Sequence, residues 1–373
     1  MRITICIIGR AGRAGCETRP FMTLLGHEKA WCGAAVMMQA RSDGAMAGRR
    51  LRVGIAGAGH FGRYHALKVA ASTREALSGI YDPDHARAEN VGQEAGGAPA
   101  LSYARLLEVS DAIVVAAPAE YHFDLAQQAL EAGRHVLVEK PIAATLEQAD
   151  RLAALATGHG LVLQVGHLLR YSAEHRAITE RITRPLYIEA TRIAPYKPRG
   201  TDVSVILDLM IHDLDLVLAI VDSPIASVDA LGAAVSSEHE DIANARVRFE
   251  NGCVATITAS RISLKTERRM RLFSQEGYLS ADFMRRELTM IGRKSGLPLP
   301  GTGGFRRQSV TWNDHDTLAA EHEAFAASCL DGAPVLVDAQ AGRRALAAAL
   351  AVGQSIADTR ARMEVSGLLQ GVD

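Results

Sequence analysis

Six residues constrain this chain more than any others: Gly57-Ala58-Gly59-His60-Phe61-Gly62. They follow a short apolar run at 51–57 (LRVGIAG) and open a segment, 60–71, whose apolar residues recur at helical spacing. In such a strand–turn–helix unit Gly57 permits the tight turn. Gly59 lets the main chain approach a pyrophosphate, and Gly62 lets the helix pack on the strand. The helix N-terminus adds N–H groups and a partial positive charge suited to phosphate. His60 and Phe61 complete the loop, His60 as a residue that shapes it. The next strand, 77–81, ends at Asp82. A carboxylate there accepts hydrogen bonds from both ribose hydroxyls and repels a 2′-phosphate, which favours NAD over NADP. The competing reading is a glycine-rich turn of another α/β protein, with Asp82 capping the helix after Pro83.

The pattern continues as alternating elements. Helices are expected at 84–95, 121–132 and 145–158, and buried strands at 111–117 (DAIVVAA), 135–138 and 161–165. Strands alternating with helices predict a doubly wound parallel sheet over 51–168. After Gly166 the pattern changes. A helix near 172–182 precedes a strand at 186–194, a polar loop at 195–202 and an apolar helix at 204–221. Strand-like runs follow at 225–235, 242–250, 253–261, 269–275, 278–284 and 286–292, with turns such as Glu250-Asn251-Gly252 between them. Strands without intervening helices predict an antiparallel sheet. A Gly/Pro-rich loop is expected at 296–304, and helices at 315–330 and 337–357 close the chain. The second half, 169–362, reads as an α+β substrate domain.

Residues 1–50 differ from the rest. They hold eight Lys or Arg against three acidic residues, and Cys6, Cys16 and Cys32. No periodicity runs through them, and Met46 stands just before the first strand. The segment reads as upstream sequence from a misassigned start or as a disordered arm. The body holds Cys253 and Cys329 alone, without CxxC spacing, so neither a disulfide framework nor a zinc site is indicated, and a reducing, cytoplasmic compartment is expected. With a net charge of -1, nothing suggests nucleic acid or an anionic membrane surface as partner. No run of about eighteen apolar residues marks a membrane span.

Chemistry-bearing residues cluster at the expected carboxyl ends of strands. Glu139-Lys140-Pro141 leaves one such strand, where open α/β sheets bind ligands, and Glu139 is a cofactor-side candidate there. Lys140 there reaches a substrate oxygen, or is an ordinary surface lysine on a strand exit. Pro118 and His122 follow another strand on the cofactor side; His122 is alternatively a helix-start histidine bound to loop backbone. His167 lies on the same edge, followed by Arg170. Asp208 and His212 stand one turn apart on an apolar helix, with Asp215 continuing the face. A carboxylate beside an imidazole raises its basicity and orients it as a general base. The alternatives are a core histidine, a metal bound by Asp208, His212 and Asp215, and a solvated face carrying Asp213 and Asp215.

Taken together, GAGHFG at 57–62, IYDP at 80–83, AAPAEYH at 116–122, EKP at 139–141 and DLMIHDLD at 208–215 resemble the Gfo/Idh/MocA oxidoreductases over about 51–360. The resemblance implies a Rossmann domain followed by a domain with a large open antiparallel sheet, often used to form homo-oligomers (a dimer or tetramer here). It implies that Lys140 contacts the reacting hydroxyl and that Asp208 and His212 are the Asp-x-x-x-His pair on the substrate-side helix. Within the family, the run DVSVILDLMIHDLDL at 202–216 looks most like UDP-N-acetylglucosamine 3-dehydrogenases, which start amino-sugar synthesis for lipid A or polysaccharide. GHLLRYSA at 166–173 is similar to the GHxERFNP segment of sugar-nucleotide members, with Leu169 for Glu and Ser172-Ala173 for Asn-Pro; it suggests His167 and Arg170 as substrate residues. The implied activity is NAD-dependent oxidation of a sugar-nucleotide hydroxyl, with no metal. Three alternatives stay open: a dehydrogenase of a free sugar or cyclitol, an imine or enamine reductase, and a non-catalytic NAD-binding sensor or scaffold.

Overall fold

The computed structural model describes residues 48–197, 203–293, 296–301, 303–313 and 315–368. The expectations for 1–47 and for 198–202 fall outside them. The first half is β1 (Leu51–Ala56), α1 (His60–Ala71), β2 (Glu75–Tyr81), α2 (His85–Ala95), α3 (Tyr103–Val109), β3 (Ala112–Val115), α4 (His122–Glu131), β4 (His135–Glu139), α5 (Leu146–His159) and β5 (Leu163–Gly166). These five strands are parallel, in the order β2-β1-β3-β4-β5. The order reverses between β1 and β3, so the crevice beyond their carboxyl ends is the ligand position of such a sheet.

The apolar runs are continuous because both faces of this sheet are buried. Val53, Ile55, Ala112, Val114 and Leu137 pack on one side with Ala66 and Val69 of α1. Ile113, Val115, Val136 and Val138 pack on the other with Leu106, Ala126, Leu130 and Leu152. Local chemistry fixes the helix ends. Thr145 and Gln148 form a reciprocal capping box at the start of α5, and Gly160, at φ 63°, terminates it. The helix after Pro83 is capped by Asp84, which accepts from the Arg87 N–H, rather than by Asp82.

The second half holds α6 (Ala173–Thr179), β6 (Pro185–Ile193), a π-helical turn at Ile206–Met210, α7 (Ile211–Val221), β7 (Ile225–Ala233), β8 (Ile242–Phe249), β9 (Val254–Ser260), β10 (Glu267–Ser274), β11 (Tyr278–Asp282), β12 (Glu287–Gly292), β13 (Leu297–Pro298) and β14 (Arg306–Thr311). These strands form one open sheet, β13-β14-β12-β11-β10-β6-β9-β8-β7. It is antiparallel except at one place: β6 and β9 run parallel. The expected purely antiparallel sheet is therefore mixed, because the chain passes through α7 and a hairpin before β9 returns beside β6. Two strands were not expected. β13 lies inside the loop expected at 296–304, and β14 is a polar, mostly exposed strand between β13 and β12.

One face of this sheet is apolar and covered by α7. Ile188, Ala190, Ala245, Val247, Ile257, Met270 and Leu272 belong to the same core as Leu214, Val217 and Ile220 of α7. α7 is buried on nearly every side, between this sheet and α9 (Ala339–Val365). Before α9 comes α8 (Thr317–Asp331), which returns to the first sheet, its Phe325 wholly buried with Val53 and Ile55. No helix among the described residues is long and apolar enough to cross a membrane.

Candidate active site

The glycine loop is packed as its residue types require. Gly57 has φ 102°, and a Cβ there would stand 2.6 Å from the Ala117 main-chain nitrogen. A Cβ at Gly62 would run into the Gly57 carbonyl, which is how α1 approaches the strand so closely. At Gly59 the opposite holds: a Cβ there would meet nothing within 4 Å, and α1 begins at this residue without a side-chain cap. Asp82 fixes the loop: its Oδ2 accepts from the Ala58 N–H at 2.7 Å and its Oδ1 from the Asp84 N–H at 2.9 Å. Each oxygen keeps a second lone pair for a ribose hydroxyl. His60 and Phe61 are exposed at the loop, their rings in edge contact with centroids 5.6 Å apart. Pro118 begins the turn after β3, across the switch point. An open phosphate cradle, an uncapped helix start and an acidic residue at the second strand fit NAD. Gly57, Gly59, His60, Phe61, Gly62, Asp82 and Pro118 are the residues that would hold it.

His122 is a helix-start histidine bound to loop backbone, one of the two readings its position allowed. Its ring is buried, with Nδ1 2.7 Å from the Pro141 carbonyl and Nε2 2.9 Å from the Ala117 carbonyl. Both nitrogens lie at hydrogen-bond distance from main-chain carbonyls, so His122 clamps the turn after β3 to the turn after β4. Glu139 is likewise turned inward: its carboxylate meets His65 Nε2 at 3.0 Å and accepts from the Lys140 N–H at 3.2 Å.

Lys140 crosses from the first sheet to the π turn. Its peptide bond to Pro141 is cis. Its Nζ donates to the Asp208 carbonyl at 2.8 Å and to the Leu207 carbonyl at 3.4 Å, and lies 3.6 Å from the Asp208 carboxylate. The π turn, a wider turn often found at functional sites, aims these carbonyls at the lysine. Burial pulls the Lys140 ammonium below its ordinary range, and Asp208 and Glu139 offset part of that.

His212 sits at the start of α7, with its Nδ1 buried and unpartnered. Burial, then Lys140, Arg192, His167 and Arg268, holds its pKa well below the ordinary imidazole value. The expectation that Asp208 raises its basicity is therefore corrected. Asp208 is drawn to Lys140, since the π turn rotates residue 208 relative to 212. His167 is buried, both ring nitrogens lack hydrogen-bond partners, and Nδ1 lies 4.0 Å from Asp215 Oδ2. Arg170 reaches Asp215 Oδ1 at 3.4 Å, leaving its own Nε and Asp215 Oδ2 unpartnered. Among the described residues no three His, Cys, Asp or Glu side chains gather to hold a metal.

Asp213 and Asp215 are not a solvated face; both are buried. Asp213 binds Arg192 of β6 through two bonds, at 2.7 and 2.9 Å. Arg192 was missed in the sequence. The signal was there: Ile188, Ala190 and Arg192 share the inward side of β6. Arg268 of β10 is its cross-strand partner and adds positive charge near His212.

A parallel sheet with a glycine-rich switch point, facing a lysine, two histidines and a carboxylate under a second sheet, defines a two-domain oxidoreductase that uses a dinucleotide. Residues 51–167 match the model described as an oxidoreductase family with an NAD-binding Rossmann fold, and residues 181–280 match the GFO/IDH/MocA C-terminal domain. The chain is 40% identical over 303 residues to UDP-N-acetylglucosamine 3-dehydrogenase of Acidithiobacillus ferrooxidans, covering 81% of this chain and 96% of that one. A solved structure of that enzyme superposes with a TM-score of 0.79 over 83% of this chain and 98% of that chain. scyllo-Inositol 2-dehydrogenase (NAD(+)) of Bacillus subtilis is 25% identical over 313 residues, 78% of this chain and 90% of the relative. This chain belongs to the Gfo/Idh/MocA family of NAD-dependent oxidoreductases.

Proposed function

We propose that the protein oxidises the C3 hydroxyl of UDP-N-acetylglucosamine to the 3-keto sugar nucleotide. One observation carries the placement of the chemistry. Beside Lys140, the ring nitrogens of His167, Nδ1 of His212, Nε of Arg170 and Oδ2 of Asp215 are buried without partners. Unpaired buried polar groups are costly and rare unless a ligand completes them. A polyhydroxylated ring supplies donors and acceptors of that kind. The 40% identity to a UDP-N-acetylglucosamine 3-dehydrogenase over nearly its whole length supports the sugar nucleotide as the ligand.

Bound NAD supplies the hydride acceptor. The neutral His212 imidazole accepts the hydroxyl proton. The Lys140 ammonium has three protons, two of them directed at the Leu207 and Asp208 carbonyls, and the third hydrogen-bonds the reacting oxygen and stabilises its developing negative charge. Asp208 keeps that ammonium charged and in place. His167, Arg170 and Asp215 bind the ring's other hydroxyls. The buried walls exclude water and fix the geometry.

The domains divide the work near residue 168: the first holds NAD and the second the sugar. The outer face of the large sheet carries Tyr187, Phe273 and Tyr278 in ring contact, with Leu231 and Ile242 exposed. That face suits pairing with a second copy of the chain. The enzyme works in the cytoplasm, where UDP-sugars and NAD are both supplied.

The test is NADH absorbance after mixing the protein with NAD and UDP-N-acetylglucosamine, with N-acetylglucosamine, inositol and UDP-glucose in parallel. NADH with UDP-N-acetylglucosamine alone is expected. NADH with inositol or a free sugar instead would keep the site and overturn the substrate.

A further inference from the structure

Behind the Glu139-Lys140-Pro141 turn, four ionisable side chains from four elements form an unbroken line. Glu139 of β4 meets His65 of α1, Oε1 to Nε2, at 3.0 Å. His65 Nδ1 meets His322 Nε2 of α8 at 2.9 Å. His322 Nδ1 meets the Glu75 carboxyl of β2 at 3.0 and 3.1 Å. His65 and Glu75 are wholly buried and His322 nearly so. Their neighbours Ala66 and Phe325 are ordinary apolar core. If tying α8 to the sheet were the line's sole task, well-packed hydrophobic residues would serve at least as well.

The geometry points to a further role: Glu75, His322 and His65 are positioning residues that share a mobile proton with Glu139 and so set its charge behind Lys140. This rests on the dehydrogenase reading where it concerns catalysis. The three hydrogen bonds need three protons. Two come with neutral imidazoles. The third is extra, and the four groups then carry one negative charge. With the extra proton on Glu75, every bond points toward Glu139, which is a carboxylate. If each proton crosses its own bond, the extra proton arrives on Glu139 and Glu75 becomes the carboxylate. Only N–H and O–H bonds break and form, and nothing leaves the line.

The surroundings act on Glu139 in opposite directions, which keeps both forms of the line within reach. Burial alone would push its carboxyl up, but the His65 hydrogen bond, then the charges of His65, Lys140 and His122, bring it below its ordinary value. Burial pushes the nearby Glu321 carboxyl well up, and Glu139 adds to that, so Glu321 stays neutral. His167 also faces Glu139, and Cys329 faces Glu75. Lys140 keeps its ammonium more readily when Glu139 is charged.

Glu75→Gln and His322→Gln each interrupt the line and leave Glu139 permanently ionised. Lys140 then holds its proton to higher pH. The alkaline limb of kcat/KM should move up by about half a pH unit or more, with NAD affinity unchanged. Phe325→Leu loosens the same packing without touching the line and should leave the limb in place. A limb that coincides with wild type in both Gln variants would overturn the proposal. Nitrogen-15 NMR of the wild-type histidines needs no variant and no substrate, so it separates this idea from the substrate assignment. Shifts of His65 Nδ1 and His322 Nε2 between the protonated and unprotonated values are expected, whereas the values of one fixed tautomer would refute proton sharing.

Discussion

The Lys140 ammonium lies 2.8 Å from the carbonyl of Asp208 and 3.6 Å from its carboxylate, so one residue of the π turn holds the lysine by two different groups. This contact joins the end of β4 to the π turn at the place where chemistry is proposed. Lys140→Ala removes both the contact and the donor to the reacting oxygen. kcat/KM should fall by about 10²-fold or more, the scale of a lost electrostatic or proton-transfer group. NAD affinity, measured by fluorescence titration, should be little changed, because the glycine loop and Asp82 are untouched. Turnover close to wild type would remove Lys140 from the mechanism.

The pH dependence follows from the directions of two shifts. His212 works as a base in its neutral form, and its pKa is held well below the ordinary value, chiefly by burial. Lowering the pH from 8 to about 6 therefore leaves His212 neutral, and kcat/KM should show no acid limb at the ordinary histidine value of about 6.5. Lys140 works as the ammonium and is also shifted down, again chiefly by burial. The alkaline limb should begin below the ordinary lysine value of about 10.4. A rate profile from about pH 5.5 to about 10 spans both ordinary values and checks both expectations. An acid limb near the ordinary histidine value that vanishes in His212→Gln would contradict the assignment.

Much of the first sheet was legible, because a strand buried on both faces writes itself as a continuous apolar run, as Ala112–Val115 does. α3 was legible in principle: Ser102 caps it, and Tyr103, Leu106 and Leu107 share one face. It is only two turns long, and its signal is short. β14, Arg306–Thr311, carries almost no apolar alternation because little of it is buried. Site residues were legible where a motif placed them at a strand end, as with Lys140. The π turn was not, since apolar spacing reports which side is buried and not which carbonyl each N–H chooses. The return of α8 to the first sheet, with His322 beside His65, depends on contacts across 257 positions that no local pattern records.

The buried pair of Arg192 and Asp213 should dominate the local stability of the second domain. Asp213→Asn leaves a buried guanidinium without its carboxylate and should cost about 3–5 kcal/mol. The double variant Arg192→Met/Asp213→Leu removes both charges and should be markedly more stable than either single variant. Urea unfolding of wild type, Arg192→Met, Asp213→Leu and the double variant gives the coupling energy directly. Single substitutions whose costs simply add would show that the pair is not energetically coupled.

Asp82 accepts the Ala58 and Asp84 N–H groups, and in the proposed function it has a second job, accepting from the ribose of NAD. Asp82→Ala removes charge-assisted hydrogen bonds, each worth about 1.5–3 kcal/mol, so the Kd for NAD should rise about 10- to 100-fold. It also removes the charge that repels a 2′-phosphate, so NADP should lose far less affinity than NAD, or gain some. Titrating both cofactors into both proteins separates the two jobs. Equal losses for NAD and NADP would mean that Asp82 acts only by shaping the loop. A loss confined to NAD would mean that its carboxylate reads the ribose itself.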